Sequence, residues 1–308
     1  MYLKKQKPLR VKGLHNVAPG HKLTEPARGL LDGFFLQLSA TFDKTFLTLP
    51  SCRILEHLCF WLRWKSQMTK IFIAYPALPN DIGQTIEAAK STFGTANLDI
   101  STWKREDLSG QPIIAPILEA ISNADIVAGD ITTLNFNVIY ELGYGIGLGK
   151  RVLPLLHRAF TQDQQAIQDV GIFDTLLYDQ YANSGELLDL MRAAQPGRRF
   201  ATAYPLDALP VYIVLPPVMT DDANQLVARS RRAGLRPRTY EQFNQARLSA
   251  TEAVRAVAIS SGVALQILSS EIKGSKEHNV RCAFVAGISQ ALGLPTLILK
   301  KGNWPAPL

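Results

Sequence analysis

Three polar residues in the stretch GDITTLNFNVIYELGYGIGLGK, Asp130, Asn137 and Glu141, carry groups that can hold or transform a ligand. Asp130 ends an apolar run with the character of a strand, and open parallel sheets bind ligands beyond the carboxyl ends of their strands. Glu141 follows in the first turns of the next helix. On a wheel of 100° per residue it clusters with Asn137 and Leu148 at the border of an apolar face. A lone glutamate on a helix is ordinarily a solvated residue. Its company points instead to one crevice, shared by Asp130, Asn137 and Glu141 with Tyr75 and Pro76 at the end of the first strand.

The four glycines behind the glutamate, Gly143, Gly145, Gly147 and Gly149, invite a phosphate-binding reading that their spacing rejects. A GxGxxG fingerprint starting at Gly143 or Gly145 needs glycine where Leu148 or Lys150 stands. A P-loop ending in Gly149 and Lys150 needs glycine at Tyr144 and a hydroxyl residue at Arg151. The glycines also precede a strand, the wrong end for cradling phosphate with helix amides. They therefore read as interior helix glycines, each costing about 1 kcal/mol relative to alanine. Val138, Leu142 and Ile146 form the apolar face, so the missing side chains suit a close approach to the sheet or to another subunit.

The elements that must position these residues alternate regularly. KIFIAY is a short apolar strand, followed by a helix from Asp81 with Ile82, Ile86, Ala89 and Phe93 on one stripe. LDIS is the next strand. PIIAPILEAISNA is a helix with Pro112 in its first turn and Ile114, Ile117, Leu118 and Ile121 on one face. DIVAGDI, the Glu141 helix and RVLPLL follow, then DTLLYD and the helix GELLDLMRA. This alternation predicts an α/β doubly wound parallel sheet covered on both faces, over residues 68–194.

Residues 195–210 carry prolines and no periodicity, as a linker does. The pattern then restarts over 211–308: VYIVLPP, a helix from Asp222 to Ala233, LRPRTY, a helix from Ala250 to Ser260, VALQILS, a helix around Asn279 to Leu292, and PTLILKK. KIFIAYP and VYIVLPP lie 141 residues apart, and LGKRVLPL and LGLPTLIL lie 144 apart. Such near-constant spacing indicates a degenerate tandem copy of one fold. At an offset of 144, Val285 stands where the first copy has Glu141, and Gly287 where it has Gly143. Glu277 and His278 read as surface cap residues. The second copy is thus expected to regulate, dimerise or bind nucleotide without cleaving it.

The stretch from Asp130 to Lys150 resembles the superfamily of nucleoside 2-deoxyribosyltransferase-like and TIR-like domains, whose members often carry D-(I/V)-T-x-x-N-x-N-V-x-Y-E-(L/I)-G-(Y/F)-A-x-x-x-G-K. The visible departure is Gly145, where alanine is usual. Trp103, Asp107, Ser109 and Gly110 in TWKREDLSGQ resemble the family's polar loop, so the likeness covers about residues 69–190. The resemblance implies a flavodoxin-like fold and cleavage of an N-glycosidic bond at a ribose or deoxyribose. It implies that Glu141 acts at the anomeric carbon, with Asp130 and Asn137 holding sugar hydroxyls or the glutamate, Tyr75 and Trp103 stacking on the base, and Asp107 and Ser109 as further substrate contacts. Two activities follow from it: hydrolysis of NAD or a related nucleotide, as in a bacterial antiviral effector, and base exchange by a nucleoside deoxyribosyltransferase. A third reading is a nucleotide-binding scaffold with a vestigial glutamate. NAD or a nucleoside enters as substrate; no separate cofactor or metal is expected, and self-association is.

Bulk composition limits the alternatives. The chain has 308 residues, 47% hydrophobic and 19% charged, which is ordinary for two globular domains. The net charge of +7 sits entirely in residues 1–67, so it gives no reason to expect a nucleic-acid partner for the rest. Three cysteines, Cys52, Cys59 and Cys282, suit a reducing cytoplasm better than a disulfide framework, and no histidine and cysteine spacing suits zinc. The leader's apolar runs LLDGFFLQL and ILEHLCFWLRW are too short to span a membrane. Three readings of it stand: a start of translation at Met68, a pair of accessory helices, or a basic arm for a membrane surface or nucleic acid.

Overall fold

The computed structural model describes residues 68–92, 98–104, 114–161, 164–196, 200, 210–241 and 247–300, all within one compact unit. The basic leader, most of the linker, and Phe93, Asp107, Ser109 and Pro112 lie outside the described residues.

The first repeat runs β1 (Thr69–Ala74), α1 (Asn80–Thr92), β2 (Leu98–Thr102), α2 (Ile114–Asn123), β3 (Ile126–Asp130), α3 (Phe136–Gly147), β4 (Arg151–His157), α4 (Gln164–Val170), α5 (Ile172–Leu176), β5 (Asp179–Tyr181) and α6 (Ser184–Ala193). Its sheet has the order β2-β1-β3-β4-β5 with every pairing parallel. The second repeat runs β6 (Pro210–Val214), α7 (Asp221–Arg232), β7 (Arg236–Tyr240), α8 (Ala250–Ala258), β8 (Gly262–Ile267), α9 (Ser275–Ala291) and β9 (Thr296–Lys300), in the order β7-β6-β8-β9. The architecture is therefore two doubly wound, flavodoxin-like parallel sheets in tandem.

Local sequence explains the elements. β3 and β8 are buried on both faces, as the central strands of helix-covered parallel sheets must be, and each is an apolar run with one polar residue, Asp130 at the end of β3 and Gln266 in β8. In α1, Ile82, Ile86 and Ala89 make one buried stripe, with Asp81 in the first turn and Lys90 in the last complementing the helix dipole. α3 is capped by the Asn135 side chain, which accepts from the amides of Asn137 and Val138. It ends at Gly147 with Leu148 as its C-cap, and Gly149 follows in the left-handed region with a φ of 70°. Ile114 departs from its expected place on the α2 stripe: it is 55% exposed, while Ile121 is fully buried.

Three apolar clusters result. One packs α1 and α6 on the outer face of the first sheet, and a small one packs α7 on the outer face of the second. The largest is shared: Phe72, Val127, Leu142 and Ile146 of the first repeat join Tyr212, Val257, Phe284 and Val285 of the second. At its centre α3 crosses α9. A Cβ on Gly143 would overlap the Phe284 carbonyl, and a Cβ on Gly287 would overlap the Tyr140 carbonyl. Farther along both helices, a Cβ on Gly147 would lie 2.5 Å from that of Ala291. Gly145 instead faces the sheet, where an added Cβ would come within 2.9 Å of Val127. The close approach suited by these glycines is thus partly to the sheet and partly to the second repeat of the same chain. Among the described residues no helix is long and apolar enough to cross a membrane.

Candidate active site

Glu141 lies in the second turn of α3, about 8 Å along the axis from the helix start at a rise of 1.5 Å per residue. It is only 8% exposed. Among the described residues its carboxyl group has no hydrogen-bond donor and no cation beside it. Removal from water, with nothing to compensate the charge, pushes its pKa up to about 8. Tyr140, the preceding residue, also buries a hydroxyl without a partner, and burial raises its pKa to about 12, helped by Tyr144 and Glu141. Asn137, one turn before Glu141, is exposed.

Strand alternation places Asp130 elsewhere. On β3, Val127 packs into the α3 layer, while Ile126 and Ala128 pack toward α1 and α6. Asp130 continues the second set. Its Oδ2 accepts from the Tyr181 hydroxyl at 2.6 Å and its Oδ1 from the Thr132 amide at 3.1 Å. The carboxyl is fully buried, and burial raises its pKa to about 6 against the opposing pull of those bonds. Asp130 is therefore a tie between β3 and β5 with no exposed atom for a sugar hydroxyl.

Tyr75 and Trp103 come together on that same outer layer, with ring centroids 5.4 Å apart. They line a cavity of about 150 Å³ with Ala77, Asn80, Gly83, Gln84, Glu87 and Lys104, and Glu141 is not on its wall. Sequence reading overlooked Glu87. Its Oε1 accepts from the Tyr75 hydroxyl at 2.7 Å and the Thr102 hydroxyl at 2.9 Å, and Lys90 Nζ lies 3.6 Å from Oε2. Burial opposes ionisation of Glu87, but these partners prevail and hold its pKa below the ordinary glutamate value. The signal was present as the spacing Gly83, Glu87, Lys90 along one edge of α1. The indole Nε1 of Trp103 is buried without a partner.

The place equivalent to Glu141 in the second repeat is closed. Val285 is fully buried, and Arg281, 144 residues after Asn137, has no exposed surface. Its guanidinium crosses to the first repeat, with Nε donating to the Val170 carbonyl at 3.1 Å and Nη2 to the Asp169 carbonyl, beneath the Tyr240 ring. His278 corrects the surface-cap expectation: it is 1% exposed, and its Nε2 lies 2.7 Å from the Gln266 carbonyl. Burial lowers its pKa to about 4. Among the described residues no group of three or more His, Cys, Asp or Glu is placed to hold a metal ion. Comparison with protein-family models, with curated proteins and with solved structures finds no match.

Proposed function

We propose that the protein cleaves the N-glycosidic bond of NAD or a related nucleotide or nucleoside, with Glu141 acting at the anomeric carbon. The observation that carries this reading is a buried glutamate without a partner, in the second turn of the helix that leaves the carboxyl end of β3. Such a group costs stability in its ionised form and is rarely retained for packing alone.

The chemistry suits that carboxyl. In an N-glycosyl pyridinium such as NAD the substrate brings a positive charge, the one partner Glu141 lacks. Its approach favours the carboxylate over the acid. As the bond from C1′ to nitrogen breaks, the electron pair leaves with the base and positive charge moves onto the sugar. The carboxylate then stabilises the oxocarbenium-like state or closes a bond to C1′. Water completes hydrolysis, and a second base completes exchange.

Incubating the purified full chain with NAD, and separately with nucleosides plus free bases, tests the reading. Release of nicotinamide that is lost in Glu141→Gln supports hydrolysis, and base exchange lost in the same variant supports a transferase. Because the ionised form is the working form, kcat/KM should rise about tenfold per pH unit below about 8. Turnover by Glu141→Gln equal to that of the natural chain would remove the glutamate from the mechanism, and nucleotide binding without turnover would leave a scaffold.

A further inference from the structure

We propose that Gly287 is a positioning residue for Glu141, so that the second repeat serves as a brace fixing the turn that carries the acid. The proposal rests on the reading of Glu141 as the catalytic group.

Gly287 meets α3 at the backbone of that turn. The Tyr140 carbonyl, which a Cβ on Gly287 would overlap, belongs to the peptide whose nitrogen is Glu141's own. The same Cβ would lie 2.7 Å from the Tyr144 amide, which in helix geometry closes the turn back to Tyr140. One methyl on α9 would therefore press on both ends of the hydrogen bond that encloses Glu141, and no flexible side chain stands between them to yield. A second, independent observation is what each repeat keeps. At the offset of 144, α9 has glycine opposite Gly143 and valine opposite Glu141. The second copy lacks the acid but retains the residue that lets the helices touch, although an interior glycine costs about 1 kcal/mol. That retention fits a structural duty directed at the other helix.

Displacing a catalytic group by about 1 Å costs on the order of 100-fold in rate. Gly287→Ala in the full chain is expected to melt cooperatively, to lower kcat for nicotinamide release from NAD by about 10-fold or more, and to leave KM within about threefold. Leu226→Ala, remote in the small outer cluster around α7, controls for loss of stability. At a temperature where both variants are folded it should keep the natural kcat. A readout independent of turnover is carbon-13 NMR of the Glu141 carboxyl: its titration should move from about 8 toward the ordinary glutamate range in Gly287→Ala and stay put in Leu226→Ala. An unchanged kcat together with an unchanged Glu141 titration in Gly287→Ala overturns the brace. Should that variant not fold, Ala291→Ser, one atom larger at the far end of the same crossing, should still lower kcat about threefold, and an unchanged value overturns the proposal equally. Full activity in Glu141→Gln brings down the catalytic reading itself, whereas loss of activity there with none in Gly287→Ala brings down the brace alone.

Discussion

Gly143 and Gly287 exchange equivalent contacts: each faces the main-chain carbonyl three residues before the other, Gly143 against Phe284 and Gly287 against Tyr140. Both pairs are related by the offset of 144, so α3 and α9 meet as the two halves of an isologous interface do. The tandem repeat thus packs as an internal pseudo-dimer, with the largest apolar cluster as its interface. Departures from that symmetry make the halves chemically different. Glu141 and Asn137 in one half are answered by Val285 and Arg281 in the other, and only the first half has a polar group left without a partner at the position of the acid.

The buried carboxyl of Glu141 makes stability depend on pH. The unfolded chain ionises this residue near 4.5 and the folded chain near 8, so the folded state binds the extra proton between those values. Stability should therefore fall as pH rises from about 4.5 to about 8, by at most about 1.4 kcal/mol per unit. Glu141→Gln removes the titration. Its melting temperature should match the natural chain near pH 4.5 and exceed it by several degrees at pH 8.5, in scanning calorimetry at matched ionic strength. A constant difference across that range would mean that the carboxyl is solvated.

Asp130 and Tyr181 should act as a structural pair. Tyr181→Phe deletes the donor at 2.6 Å and leaves a fully buried carboxyl with the Thr132 amide. The cost at pH 7.5, where Asp130 is ionised, should be about 2 kcal/mol in urea unfolding. Because the Asp130 pKa lies near 6 and rises further when the donor is lost, the cost should shrink at pH 4.5, where the group is protonated in the folded chain. If Asp130 instead serves a substrate, Tyr181→Phe will leave stability nearly unchanged and raise KM.

Much of the fold was legible in the sequence because central strands and amphipathic helices are spelled in local patterns. The stripe Ile82, Ile86, Ala89 and the run from Ile126 to Asp130 needed no tertiary information. The short helices α4 and α5 did, since a single turn or two carries too few apolar positions for a period to show, and they meet the second repeat through contacts such as Arg281 to the Val170 carbonyl at 3.1 Å and the Ala250 amide to the Thr175 hydroxyl at 2.8 Å. The candidate site was legible one residue at a time. Glu141 stood out by its position after a strand, but a side chain's layer depends on strand parity. That parity sends Asp130 toward Tyr181 and Tyr75 toward Glu87, and Trp103, in the bend just past β2, packs beside Tyr75. Arg281 escaped notice because a buried arginine has no local signature; only the internal offset, aligning it with Asn137, could have marked it.

Arg281 sets competing effects against each other. Its guanidinium is fully buried with Nη1 unpartnered, and burial lowers its pKa, so the bare charge is unfavourable. Against that stand bonds to the Val170 and Asp169 carbonyls at the end of α4, each charge-assisted bond contributing about 1.5–3 kcal/mol. Arg281→Met keeps the stem and the volume while deleting the donors, which leaves two inward carbonyls without partners. The bonds should win, with a net loss of about 2 kcal/mol in urea unfolding. Arg281→Lys should recover only part of it, since a single ammonium lacks the planar fork that serves both carbonyls. A Met variant more stable than the natural chain would show instead that desolvation of the charge dominates, as it does for many buried ions.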